Sequence, residues 1–255
     1  MQDSFGGSET TKSKADAVAD AINKLLQNLV IKCAKSEGVR DYYHAGVIGY
    51  GDKIASAFSG QLAGRELVPV SEIASSPARI EERQKKVDDG AGGLVEQKVK
   101  FPIWFDAVAS NGTPMCKAFG KAKTIISAWL AQHPDCFPPI VINITDGESN
   151  DGDPTNSATE LSALTSSDGN VLLFNLHLSS SNASPIEYPN SESGLPDQYA
   201  QLLFRTSSLL PDYMRSIAIQ EGKNVIEGAR GFVFNAGIVS VIQFLDIGTR
   251  PSNLR

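Results

Sequence analysis

Cysteine, histidine and tryptophan are scarce in this 255-residue chain, at three, three and two residues. Cys33, Cys116 and Cys136 form an odd set without a C-x-x-C pair, and His44, His133 and His177 lie far apart. Neither a disulfide framework nor a zinc site is therefore readable, and the cysteines read as reduced packing residues. Long apolar runs are missing too: none approaches the ~20 residues of a membrane helix. Met1-Gln2-Asp3-Ser4 lacks the basic and apolar regions of a secretory signal, so the expected compartment is cytoplasmic. Neither G-x-x-x-x-G-K-[ST] nor G-x-S-x-G occurs, and Gly6-Gly7 lacks the preceding strand that a phosphate-binding loop requires. No internal repeat is found. Basic charge is in deficit, 23 Lys and Arg against 29 Asp and Glu for a net of −6, which argues against nucleic acid or an anionic membrane as partner. Apolar residues do make up 41% of the chain, enough for a sizeable core in one domain over 1–255.

Periodicity orders the elements. Ala15, Val18, Ile22, Leu25, Leu29 and Cys33 trace one helical face, with Gly38 as its stop. Tyr43 to Tyr50 reads as a strand, and ELVPVSEIA after it as extended. SPARIEERQKKV fits either a helix started by Pro77 or one arm of a hairpin turned at Asp88 to Gly93; residues 66–105 are thus a hairpin or insertion region. Met115, Phe119, Ala122, Ile126 and Trp129 predict a second helix with Thr113 as N-cap and Pro114 as first residue. Ile140 to Ile144 and Val171 to Leu178 are apolar on both faces, as strands are in a parallel sheet covered by helices on both sides. Between them a helix opens at Asp153-Pro154, runs through Leu161 and Leu164 and stops near Gly169. Residues 179–196 read as an irregular surface loop. Short helices at 199–203 and 213–219, a strand at 231–235 and a closing helix through Ile238, Ile242 and Leu245 complete the order. Strands alternating with helices predict an α/β fold with a doubly wound, mainly parallel sheet, whose function sits at the C-terminal strand ends.

Two loops at those ends carry oxygen side chains: Asn111-Gly112-Thr113-Pro114-Met115, and Thr145-Asp146-Gly147-Glu148-Ser149. Each residue also has an ordinary explanation, because Thr before Pro starts helices and Asp-Gly makes turns. Taken together, the two loops and the element order resemble the von Willebrand factor A family. Residues 12–30 with Val47-Ile48-Gly49-Tyr50-Gly51 look most like its stand-alone bacterial branch, some members of which neighbour tellurite and other stress-response genes. The resemblance implies a metal-ion-dependent adhesion site at which Mg²⁺ or Mn²⁺ captures an Asp or Glu of a protein partner. By the same resemblance Thr113 would ligate directly and Asp146 largely through water, with Gly147 and Glu148 just outside the ion's shell. Such hard cations take about six oxygens.

The family's Asp-x-Ser-x-Ser motif follows a strand placed directly before the first helix. Here Asp3-Ser4-Phe5-Gly6-Gly7 has Phe and Gly where two serines belong, and no strand precedes it. The expectation is therefore that the first central strand is missing and that Met1 is an internal residue of a longer protein. A strand apolar on both faces would bury roughly 6 to 18 kcal/mol of side chain, against a domain stability of about 5 to 15 kcal/mol. With only Thr113 and Asp146 as ligands, Mg²⁺ binding by these 255 residues should be millimolar or weaker. The alternatives are a metal-dependent phosphohydrolase, with Asp146 and Glu148 holding the ion and His177 as base, and a structural assembly domain with a degenerate site. Asp52 and Asp106 read as turn residues, and residues 66–105 and 179–196 as places where partner selectivity could lie.

Overall fold

A computed structural model describes residues 13–88, 94–108, 112–178, 184–235, 237, 240 and 243–246. Helix α1 (Lys14–Cys33) starts at a capping box: Asp16 N–H donates to Ser13 Oγ and Ser13 N–H to Asp16 Oδ2, both at 3.2 Å. The predicted strand at 43–50 breaks in two, His44–Ala45 pairing with Val68–Pro69 and β1 (Ile48–Tyr50) pairing with β2 (Ile54–Ser56). Gly46 permits the break, because any Cβ there would sit 2.2 Å from the Glu66 carbonyl oxygen. ELVPVSEIA is extended only at its start; from Val70 it is helix α2 (Val70–Ser75), with Val70 and Ile73 buried. The open alternative over 76–101 resolves to a hairpin, β3 (Arg79–Asp88) against β4 (Leu94–Ile103), antiparallel with Arg79 opposite Ile103. Its turn at 89–93 lies outside the described residues.

Helix α3 (Met115–Gln132) leads to β5 (Ile140–Thr145), then α4 (Thr155–Ser162) to β6 (Leu172–His177). α4 ends before Leu164, because Thr165–Ser166 and Gly169–Asn170 form a small hairpin of their own. The stretch read as a surface loop contributes β7 (Ile186–Glu187), and its Tyr188 and Leu195 are buried. Their apolar side chains outweigh the Ser and Pro around them. Helices α5 (Gln198–Thr206) and α6 (Asp212–Gln220) precede β8 (Phe232–Phe234). Of the closing helix, residues 240 and 243–246 are helical, with Phe244 and Leu245 buried; Ile238 and Ile242 lie outside the described residues.

The sheet has the order β7-β8-β6-β5. β5, β6 and β8 are parallel and β7 is antiparallel at the edge, so the fold is α/β with a mixed four-stranded sheet. Alternation along β6 assigns its faces. Phe174 and Leu176 pack with Val18 and Ala21 of α1 and Met214 and Ala218 of α6. Leu173 packs on the other side, in the cluster holding Met115 and Phe119 of α3, Leu161 of α4 and Leu203 of α5. Among the described residues no helix is long and apolar enough to cross a membrane.

Candidate functional site

The C-terminal end of β5 is held by a ladder of polar side chains. Asn143 stands opposite Asn175 in the β5–β6 register, and its Nδ2 donates to Asn175 Oδ1 at 2.9 Å. Asn175 Nδ2 in turn donates to Leu203 O (3.1 Å) and Ser207 Oγ (2.9 Å). The Tyr50 hydroxyl, arriving from β1, donates to Asn143 Oδ1 at 2.6 Å and lies 3.2 Å from Ile144 O. Both asparagines are buried, so these partners replace the water they lost. Desolvation raises the Tyr50 phenol above its ordinary pKa and keeps it a donor.

Beyond β5 the chain turns at Asp146-Gly147. The Thr145 hydroxyl donates to Gly147 O (2.9 Å) and accepts from Gly147 N–H (3.3 Å), and the Tyr199 hydroxyl of α5 also donates to Gly147 O. Burial raises the Tyr199 phenol in the same sense. This turn meets the Thr113 loop directly. Asn150 N–H donates to Thr113 O at 3.0 Å, and a Cβ built on Gly147 would stand 3.4 Å from Thr113 Oγ1. Thr113 and Asp146 therefore lie on one rim, where both line the same cavity. Glu148 is exposed on the loop beyond. Asn111 lies outside the described residues.

Thr113 is not the cap of α3. Pro114 occupies that position without a side-chain bond, and the first free amides, those of Cys116 and Lys117, each donate at 3.0 Å to a carboxylate oxygen of Asp151. Ser149 Oγ donates to Asp151 as well (3.0 Å). Burial pushes the Asp151 carboxyl up, but these hydrogen bonds outweigh it and hold the group below its usual range. The half-buried Thr113 hydroxyl makes no hydrogen bond among the described residues.

The remaining candidates sit elsewhere in character. His177 is 6% exposed, ringed by Tyr199 and Phe234, and its Nδ1 has no hydrogen-bond partner among the described residues; burial lowers its pKa ahead of the opposing pull of Asp197 and Asp146. Asp106 is clasped by Arg79 at 2.7 and 2.8 Å, an ion pair at the foot of the hairpin. Asp52 lies in the Gly51–Lys53 turn and lines the same cavity as Asp146. Among the described residues no three His, Cys, Asp or Glu side chains are placed to share an ion. Thr113 and Asp146 thus suit Mg²⁺ in kind, being hard oxygen donors, and fall short of it in number.

Tyr50, Asn143, Asn175, Asp151 and Tyr199 escaped the sequence reading. A signal existed for two of them, since each of the two longest strands of the sheet, IVINIT and LLFNLH, carries a single Asn in an otherwise mostly apolar run. Comparison with protein-family models, curated proteins and solved structures gives no match in any of the three.

Proposed function

We propose that the rim at the C-terminal end of β5 belongs to a metal-ion-dependent protein-binding module of the von Willebrand factor A type. At this rim Mg²⁺ or Mn²⁺ would hold an Asp or Glu of a partner protein. The observation that carries the reading is the meeting of two oxygen-bearing loops, through the Asn150 N–H to Thr113 O bond and the nearness of Gly147 to the Thr113 hydroxyl, which a Cβ on Gly147 would approach to 3.4 Å. An open position on a hard divalent cation accepts a carboxylate oxygen. The chain's own part is to present the Thr113 hydroxyl and the Asp146 carboxylate on backbones that cannot drift. The Asp151 cap fixes the first loop, and Thr145 and Tyr199 fix the second. A place in a bacterial stress-response system is part of the proposal and rests on the sequence resemblance alone.

A titration with Mn²⁺ followed by amide resonances tests it. Paramagnetic broadening should concentrate on residues 112–115 and 145–149, with millimolar or weaker affinity, and should vanish in Asp146→Ala while the rest of the spectrum is retained. Broadening centred elsewhere, or unchanged by Asp146→Ala, contradicts the reading. Micromolar Mg²⁺ affinity by calorimetry would contradict the expectation that two donors hold the ion weakly.

A further inference from the structure

The β3–β4 hairpin is covered along its outer β4 edge at one end only. Just past β4, Trp104 N–H donates to Asn23 Oδ1 of α1 at 2.8 Å, and Gln27 Nε2 of the same helix lies 3.5 Å from Lys100 O. Ile103 O faces the other way, accepting from Ala78 N–H at 2.8 Å. By alternation the even-numbered residues of β4 turn their backbones outward, and Pro102, which has no N–H to offer, falls in that set. Toward the turn the outward backbones are those of Lys98 and Glu96. There the described residues supply no neighbouring strand, and the side chains of Val95, Glu96, Gln97 and Lys98 are exposed. A two-stranded ribbon is marginal by itself, and its bare edge is a template for another strand.

Charge selects the strand that fits this edge. A second copy related by a two-fold axis normal to the sheet keeps like faces together, so some residue must stand opposite its own counterpart. With that axis at Gln97, Glu96 faces Lys98 of the second copy on one side of the sheet, and Val95 faces Val99 on the other. Both pairs occur twice by symmetry, and both are favourable across strands. Moving the axis to residue 96 or 98 sets Glu96 or Lys98 against itself, and moving it to Val99 sets Lys98 against Lys100. β3 offers no equivalent. Every axis from Glu81 to Lys86 places like charges opposite each other, as Arg83 against Lys85 when the axis is at Gln84. A lysine on an edge ordinarily guards it against pairing. Here Lys98 has only the exposed Glu82 carboxylate, 3.3 Å away across the hairpin, and Glu96 of a second copy would answer it from the open side.

We propose that two copies of this chain associate by pairing β4 antiparallel with β4 about a two-fold axis at Gln97, giving one continuous sheet in the order β3-β4-β4-β3. Because Glu96 and Lys98 turn outward, each exchanges both backbone bonds with its opposite number, about four bonds in all. Gln97 then forms the close, non-hydrogen-bonded pair on the axis, with the two Cα atoms about 4.5 Å apart. α1 ends the pairing at Lys100, where Gln27 reaches the carbonyl. A patch this short belongs to the weak, transient class, so the dissociation constant should be about 0.1 to 1 mM.

Sedimentation of the 255-residue chain from about 10 µM to 1 mM should show a reversible monomer–dimer equilibrium. Glu96→Lys sets like charges opposite each other twice and should weaken the dimer at least about tenfold, while Glu96→Lys combined with Lys98→Glu should restore it to within about threefold. A second measurement does not depend on affinity. Gln97→Cys places a thiol on the axis within disulfide reach of its copy, and mild oxidation should give a covalent dimer at least about tenfold faster than Gln84→Cys, the matching position on β3. The unsubstituted chain, which keeps Cys116 and Cys136, sets the background. Cross-linking that favours Gln97→Cys, or a dimer lost with Glu96→Lys and regained in the double variant, supports the proposal. A chain still monomeric at about 1 mM, a dimer indifferent to Glu96→Lys, or cross-linking as fast through Gln84→Cys overturns it.

Discussion

β5 and β6 are partners in one parallel ladder, and β5 is the more apolar of the two, yet β6 is the better buried. In β6 every residue from Leu173 to His177 is buried, Phe174 and Leu176 to 1% exposure or less. In β5 only Asn143 and Thr145 are buried, and Ile140, Val141, Ile142 and Ile144 remain half-buried. β6 has a strand on each side; β5 has β6 on one side and a cavity on the other. Burial is thus decided by neighbours in the sheet, not by the side chain's own hydrophobicity.

Paired truncations would test this contrast most strongly. Leu176→Ala should cost about 3 to 5 kcal/mol in urea unfolding, as deletion from a fully packed site does, while Ile142→Ala should cost about 1 to 2 kcal/mol because its surroundings already lack contacts. Equal losses would mean that the β5 flank is as well packed as its neighbour. The polar ladder joins the two strands and should give a middle-sized effect. Asn175→Ala leaves the buried Asn143 amide with only the weak acceptor Met115 Sδ at 3.7 Å, costing roughly 2 kcal/mol by the same measurement.

Smallest is the cap at the rim. Asp151→Ala should lower stability by about 1 kcal/mol and loosen the first turn of α3, read as faster exchange at the Cys116 and Lys117 amides. Its pH dependence has a definite sign. The folded carboxyl titrates below its unfolded value near 4, so the cap's contribution is present at neutral pH and is lost as the pH falls through the folded pKa. The difference in stability between the native chain and Asp151→Ala should therefore shrink below about pH 4 and stay flat from pH 5 to 8; a difference that grows on acidification would break the assignment.

Much of the molecule was legible without coordinates. α1, α3, β5 and β6 have long, clean periodicities, and their type was readable because burial on one face or two imposes those patterns directly. Thr113 and Asp146 were legible as a pair because loop residues at strand ends share one edge of any such sheet. Short elements were less so. The break at Gly46 depends on a carbonyl 20 residues away, and the helix at Val70 on burial of Val70 and Ile73. The cap of α3 comes from Asp151, 35 residues downstream, which no local rule could identify.

By itself, then, the order of residues determined the long helices and the two long strands of the sheet, that helices cover both its faces, and which loops carry oxygen. Only the tertiary structure decided which side chains those loops bring together and that one edge of β5 faces a cavity. The reason is physical: periodicity records how much of each segment is buried, whereas the identity of what buries it depends on contacts between residues far apart in the chain.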